Sequence, residues 1–79
     1  MAEKTRLELL EKYKRVGCLS DGVIHVCDKE GNWFHILPDG TPAYKERYKW
    51  VSPFSSGRAQ VCDKDDKWFH IRPDGTKID

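Results

Sequence analysis

Seventy-nine residues, of which 38% are apolar and 34% charged, allow one domain with a thin core, since a chain this short buries only roughly 60% of its unfolded surface. The 14 basic and 13 acidic side chains are interspersed and leave a net charge of +1, so the clustered positive face of a nucleic-acid binder is missing and no such partner is expected. No apolar run approaches the ~18 residues of a membrane span, and Met1 to Arg6 lacks the apolar stretch of a signal peptide. Neither a membrane partner nor export is therefore expected. Three cysteines, Cys18, Cys27 and Cys62, are an odd number and read as reduced thiols of a cytoplasmic protein.

Thr5-Arg6-Leu7-Glu8 fits a capping box, in which the Thr hydroxyl and the Glu carboxylate satisfy each other's backbone N–H groups. Leu7, Leu10 and Lys14, then Leu9 and Tyr13, fall at helical spacings, and Glu8–Lys12 and Glu11–Arg15 add acid-before-base pairs. A helix from about residue 6 to residue 14 is predicted, with Gly17 ending it.

From Tyr13 onward the chain repeats itself. Tyr13 to Thr41 aligns with Tyr48 to Thr76 without a gap at an offset of 35, and 17 of the 29 pairs are identical. A fixed period of this size marks a repeat architecture in which each unit is one supersecondary element.

Within the first copy, Val23-Ile24-His25-Val26-Cys27 and Trp33-Phe34-His35-Ile36-Leu37 are rich in β-branched and aromatic residues. A type I turn over Asp28 to Glu30 with Gly31 left-handed predicts a bulged hairpin. That register opposes Cys27 to Trp33, Val26 to Phe34 and His25 to His35. Ile24, Val26, Phe34 and Ile36 then share an apolar face, leaving His25, Cys27, Trp33 and His35 on the other. A one-residue slip would mix the two sets.

The second copy reproduces the pattern, with Ala59, Val61, Phe69 and Ile71 against Gln60, Cys62, Trp68 and His70. Asp66 stands where Gly31 does, and Asp tolerates the left-handed conformation better than most residues. Ser20-Asp21-Gly22 and Ser55-Ser56-Gly57 mark turns into each unit, and Pro38-Asp39-Gly40 and Pro73-Asp74-Gly75 mark turns out of it. The link from Pro42 to Lys49 reads as briefly helical or irregular.

These residues resemble the WG (KWG) repeat of bacterial proteins. The second copy carries the resemblance through Tyr48, Val51, Phe54, Ser55, Gly57, Ala59, Val61, Lys67-Trp68, Ile71 and Gly75. The first carries it through Tyr13, Val16, Leu19, Ser20, Gly22, Val26, Trp33, Ile36 and Gly40. The chain departs from the pattern where Gly should follow Trp: Phe34 and Phe69 stand there, with His35 and His70 next. Its Trp-Phe-His-Ile-x-Pro-Asp-Gly-Thr wording looks like a divergent subfamily. The resemblance implies repeat modules used for interaction, with no catalytic residue to carry over.

Cys27 and His35, and again Cys62 and His70, project from one face of their hairpins, and two Cys with two His make a valid zinc set. The spacing lacks any Cys-x-x-Cys or His-x-x-x-His knuckle, bulky Trp33 and Trp68 lie across from the cysteines, and duplication explains why the pattern appears twice. A structural zinc site is thus the alternative reading. Cys–His catalysis needs an activated thiolate beside an oriented base and a pocket that a chain this small has little room for. No enzyme activity and no cofactor are expected. Asp63-Lys64-Asp65-Asp66 lacks the glycine and distal Glu of a calcium loop and reads as a hairpin tip.

Trp33, His35, Trp50, Trp68 and His70 are the candidate interaction surface, because exposed aromatic faces are enriched in binding hot spots. Repeat units generally need about three copies to bury a continuous face, and here there are two. Capping by the N-terminal helix together with homodimerisation is expected to make up the difference. The expected fold is mostly β: two tandem antiparallel β-meander repeats of about 35 residues with an N-terminal α-helix. It forms a single domain over 1–79, with the helix in 1–15 and repeats at 13–47 and 48–79. The expected function is a non-enzymatic module binding a protein or peptide.

Overall fold

Among the described residues, six short strands fold as two copies of one antiparallel meander. The computed structural model describes residues 11–78. Strands β1 (Arg15–Ser20), β2 (Val23–Cys27) and β3 (Trp33–Ile36) form one sheet in the order β1-β2-β3. Strands β4 (Trp50–Val51), β5 (Ala59–Cys62) and β6 (Trp68–Ile71) form the second in the order β4-β5-β6.

The turns follow their residues. Asp21 and Gly22 take φ of 54° and 85°, and Ser56 and Gly57 take 54° and 81°, the paired positive φ of a type I′ hairpin turn. Between β2 and β3, Gly31 sits at φ 90°, and the Asp28 carboxylate accepts from the N–H groups of Glu30 and Asn32, both at 2.9 Å. Asp66 sits at φ 64° in the matching loop, where the Asp63 carboxylate accepts from Asp65 and Lys67. An identical side-chain cage holds both loops, so the second copy tolerates a non-glycine in the left-handed position.

The resulting registers are those the apolar pattern selects. Cys27 pairs with Trp33, Val26 with Phe34 and His25 with His35; Cys62 pairs with Trp68, Val61 with Phe69 and Gln60 with His70. Val26, Phe34, Ile36, Ala59, Val61 and Ile71 are buried, with Ile24 and Phe69 packed against them.

The start of each unit departs from expectation. Most of the predicted helix, with its capping box, lies outside the described residues. Glu11 and Lys12 have helical backbone, but no helical element stands among the described residues. Tyr13 is not helical, and the Lys14 N–H donates to Cys27 O at 2.8 Å. Lys49 makes the same bond to Cys62 O at 2.8 Å. The core claims Tyr13 and Tyr48, each buried and edge-on to the Phe of its own copy, at 5.8 and 5.9 Å between ring centres. That burial draws the backbone into the sheet earlier than helical spacing suggests. Gly17 therefore lies inside β1 and ends no helix. Its missing side chain leaves room for the His25 ring, which a Cβ at this position would strike. In the second copy β4 stops after two residues, because Pro53 has no N–H for the ladder.

The link from Pro42 to Lys49 is irregular and runs back along the outer edge of β3. Pro42 bridges Ile36, and Tyr48 bridges Trp33. Further bonds tie the copies together: Ser20 Oγ donates to Phe54 O at 2.5 Å, and the Gly57 N–H donates to the Asp21 carboxylate at 2.8 Å. The core is continuous across both units, from Tyr13 to Ile71.

One pair of equivalent positions isolates this inter-copy seating. Phe54 is 2% exposed because it packs edge-on to His35 of the first copy, 4.5 Å between ring centres. Leu19, its repeat equivalent, is 60% exposed. Phe54→Ala is expected to cost about 3–5 kcal/mol in urea denaturation, and Leu19→Ala within about 0.5 kcal/mol. Equal losses would refute the seating.

Candidate functional site

Cross-strand pairing puts His25, Cys27, Trp33 and His35 on one face, but the copies use that face differently. In the first copy it is largely closed. His35 is fully buried between Tyr44 and Phe54, with both ring nitrogens engaged. Nε2 lies 2.9 Å from Ser52 O, a carbonyl that only accepts, so Nε2 carries the proton. Nδ1 then accepts from the Tyr44 hydroxyl at 2.5 Å. His35 is thus a neutral pin between the first sheet and the second unit. Burial pushes its pKa down to about 4 and raises that of Tyr44. His35 therefore leaves the expected interaction surface: the second unit covers it, a contact that its position on the solvent side of a lone hairpin does not reveal.

Trp33 is half-buried and stacks on His25 at 6.0 Å and 16°. The buried His25 Nδ1 has no hydrogen-bond partner among the described residues, and burial lowers the pKa of this ring too. In the second copy Gln60 replaces His25 and the face opens. Trp68 is 55% and Trp50 40% exposed, their ring centres 5.6 Å apart. His70 is half-buried.

The zinc alternative does not assemble. Cys27 and Cys62 are buried in different sheets, His35 has no free nitrogen, and no group of three His, Cys, Asp or Glu side chains able to hold a metal occurs among the described residues.

The open part of the surface is the outer edge of β6. On β3 that edge is occupied: the Trp33 N–H donates to Tyr48 O at 2.8 Å, and the Tyr48 N–H returns to Trp33 O at 2.9 Å. Arg47 lies 3.8 Å above the Phe34 ring centre. On β6, His70 O accepts from the Ile78 N–H at 2.9 Å, as His35 O does from Ala43 at 3.0 Å. Strand alternation therefore directs the Trp68 N–H and C=O outward as well. No turn or loop backbone group among the described residues meets them there. An open groove of about 430 Å³ lies at this position, lined by Asp63, Lys67, Trp68, Phe69 and Lys77.

Comparison with protein-family models, with curated proteins and with solved structures finds no match. The geometry of the chain itself carries the functional reading.

Sequence reasoning singled out Trp50 and Trp68 but missed Tyr44, Lys67 and Lys77. Tyr44 is the aromatic of the link without an aromatic repeat partner, since Asp79 stands 35 residues on. Its ring also abuts Gly75, where an added Cβ would lie 2.5 Å from the Tyr44 Cβ. Lys67 and Lys77 replace Asn32 and Pro42. Differences between the copies, more than their identities, were the available signal.

The buried His35 has a pH signature. Its folded pKa lies below the unfolded value of 6.5, near 4, so the unfolded chain binds the extra proton between those values and folding weakens as pH falls through them. The stability that neutral His35 confers is complete above about pH 6.5 and is lost toward pH 4, on the order of 3 kcal/mol. Urea midpoints between pH 7 and 4.5 should fall steeply in the wild type and less in His35→Gln. A flat wild-type profile would contradict the buried neutral pin.

Proposed function

We propose that this protein is a small non-enzymatic interaction module, a divergent WG-like repeat unit that binds an extended protein or peptide segment. One observation carries the reading: the exposed Trp50–Trp68 pair adjoins a strand edge whose outward backbone groups at Trp68 stand over an open groove. Strand addition takes affinity from such an edge and specificity from the side chains beside it. Aromatic rings exposed together supply the apolar area that hot spots use. A non-enzymatic role fits His35, which is sealed from solvent with both nitrogens occupied. The free thiols of Cys18, Cys27 and Cys62 fit a cytoplasmic setting, and no helix among the described residues is long and apolar enough to cross a membrane.

The test is affinity capture with wild type, the double variant Trp50→Ala/Trp68→Ala, and Trp33→Ala. Partners retained by the wild type should be lost from the double variant. The Trp33→Ala variant, if folded by circular dichroism, should keep them. Identical captures by wild type and double variant would mean that Trp50 and Trp68 only pack.

A further inference from the structure

The two histidines paired across β2 and β3 are held in opposite ways. His35 has a partner at each ring nitrogen. His25 Nδ1 is buried with none among the described residues, so no hydrogen bond fixes that side of the ring. Fit holds it instead. The ring lies nearly parallel to Trp33, 6.0 Å between centres and 16° between planes. It fills the space beside Gly17, where an added Cβ would strike its Cε1, Nδ1 and Nε2 atoms. Gly17 serves that space and no turn. Unlike the turn glycines, it lies outside the left-handed region, so its backbone accepts a side chain and only the ring refuses one.

The second copy changes both members of the pair. Ser52 stands in place of Gly17, and Gln60 in place of His25. The pairing beside them is the same, Val16 with Val26 and Val51 with Val61. The Ser52 Cβ therefore falls where the His25 ring sits in the first copy. Ser52 Oγ accepts from the Gln60 N–H at 2.9 Å, and Gln60 is exposed. Trp68 has no ring from β5 to stack on and leans on Trp50. The two differences go together, because a histidine ring at position 60 needs the Cβ at position 52 removed.

We infer that the pair 17/25 and its equivalent 52/60 decide which tryptophan a partner can reach. The His25 ring is a plug that closes the Trp33 face of the first copy, while Ser52 and Gln60 keep the Trp68 face unplugged. The inference rests on the interaction-module reading and adds the residues that select its surface. The first copy thus holds a masked aromatic surface of the same kind. Swinging the ring out breaks no hydrogen bond at Nδ1 and brings that atom to water.

The experiment uses the full chain with Trp50→Phe and Trp68→Phe, which leaves Trp33 as the reporter. In that background Gly17→Ala evicts the ring without removing it. Acrylamide quenching of Trp33 should rise and its emission should shift to the red. The His25 pKa, held down by burial, should rise toward its ordinary value in an NMR titration. His25→Gln, which leaves Gly17 in place, should give the same fluorescence change even if Gly17→Ala does not fold. In the opposite direction, Ser52→Gly with Gln60→His in the otherwise wild-type chain, folded by circular dichroism, should lose the partners that the wild type captures. Unchanged quenching in the folded first-copy variants would overturn the plug. Undiminished capture by Ser52→Gly/Gln60→His would overturn the selection of surface by this pair and leave the module reading standing. The expected fluorescence changes with no partner captured by the wild type would overturn the module reading while the plug stands.

Discussion

Everything in this molecule depends on seating Phe54 of the second unit against His35 of the first. Neither meander has enough apolar area to close a core alone, for the chain is only 38% apolar, and small domains run short of burial. The solution is to bury a polar residue and satisfy it completely. His35 sends Nε2–H to Ser52 O, receives the Tyr44 hydroxyl on Nδ1, and meets the Phe54 ring edge-on. A hydrogen-bonded histidine thus does what a hydrophobic knob does elsewhere, and adds direction. Its partners all come from the link and the second unit, so the network orders the copies relative to each other as well as filling space.

The same seating explains why identical words in the two copies have different fates. His35 and His70 share a sequence context, yet one is sealed and the other half-buried. Trp33 stacks on His25, while Trp68 leans on Trp50 at the surface. The registers coincide, so neither contrast is one of pairing. The histidine contrast arises because the link and second unit pack on the first hairpin, and the tryptophan contrast because Gln60 and Trp50 stand where the first copy has His25 and Arg15.

This is also where legibility in the sequence stops. Hairpin registers were readable because alternation and turn residues are local: Gly31, Asp66 and the Pro-Asp-Gly turns take the conformations their chemistry dictates. The strand β1 was not readable. Arg15–Ser20 has no alternation and contains Gly17, whose role is to admit the His25 ring, a contact made from another strand. Tyr13 carried a helical spacing that core burial overrode. At the candidate site, Trp50 and Trp68 could be named from aromatic content alone. The burial of His35 could not, because its cover comes from Tyr44 and Phe54, residues 9 and 19 positions away. Long-range seating of this kind has no periodic signature.

Two lysines stand beside the β6 strand edge. An unpaired N–H and C=O invite pairing with any extended chain, and charged side chains at edges are a general means of discouraging it. Lys67 and Lys77 line the groove beside the Trp68 backbone, where Asn32 and Pro42 stand uncharged in the first copy; there Tyr48 pairs with Trp33 and Arg47 covers Phe34. A protective role alone accounts for the lysines. It does not account for the exposed Trp50–Trp68 pair beside the edge, since apolar surface there raises the hazard that the lysines lower. That surplus of aromatic surface, more than the lysines, is what the proposed interaction role draws on.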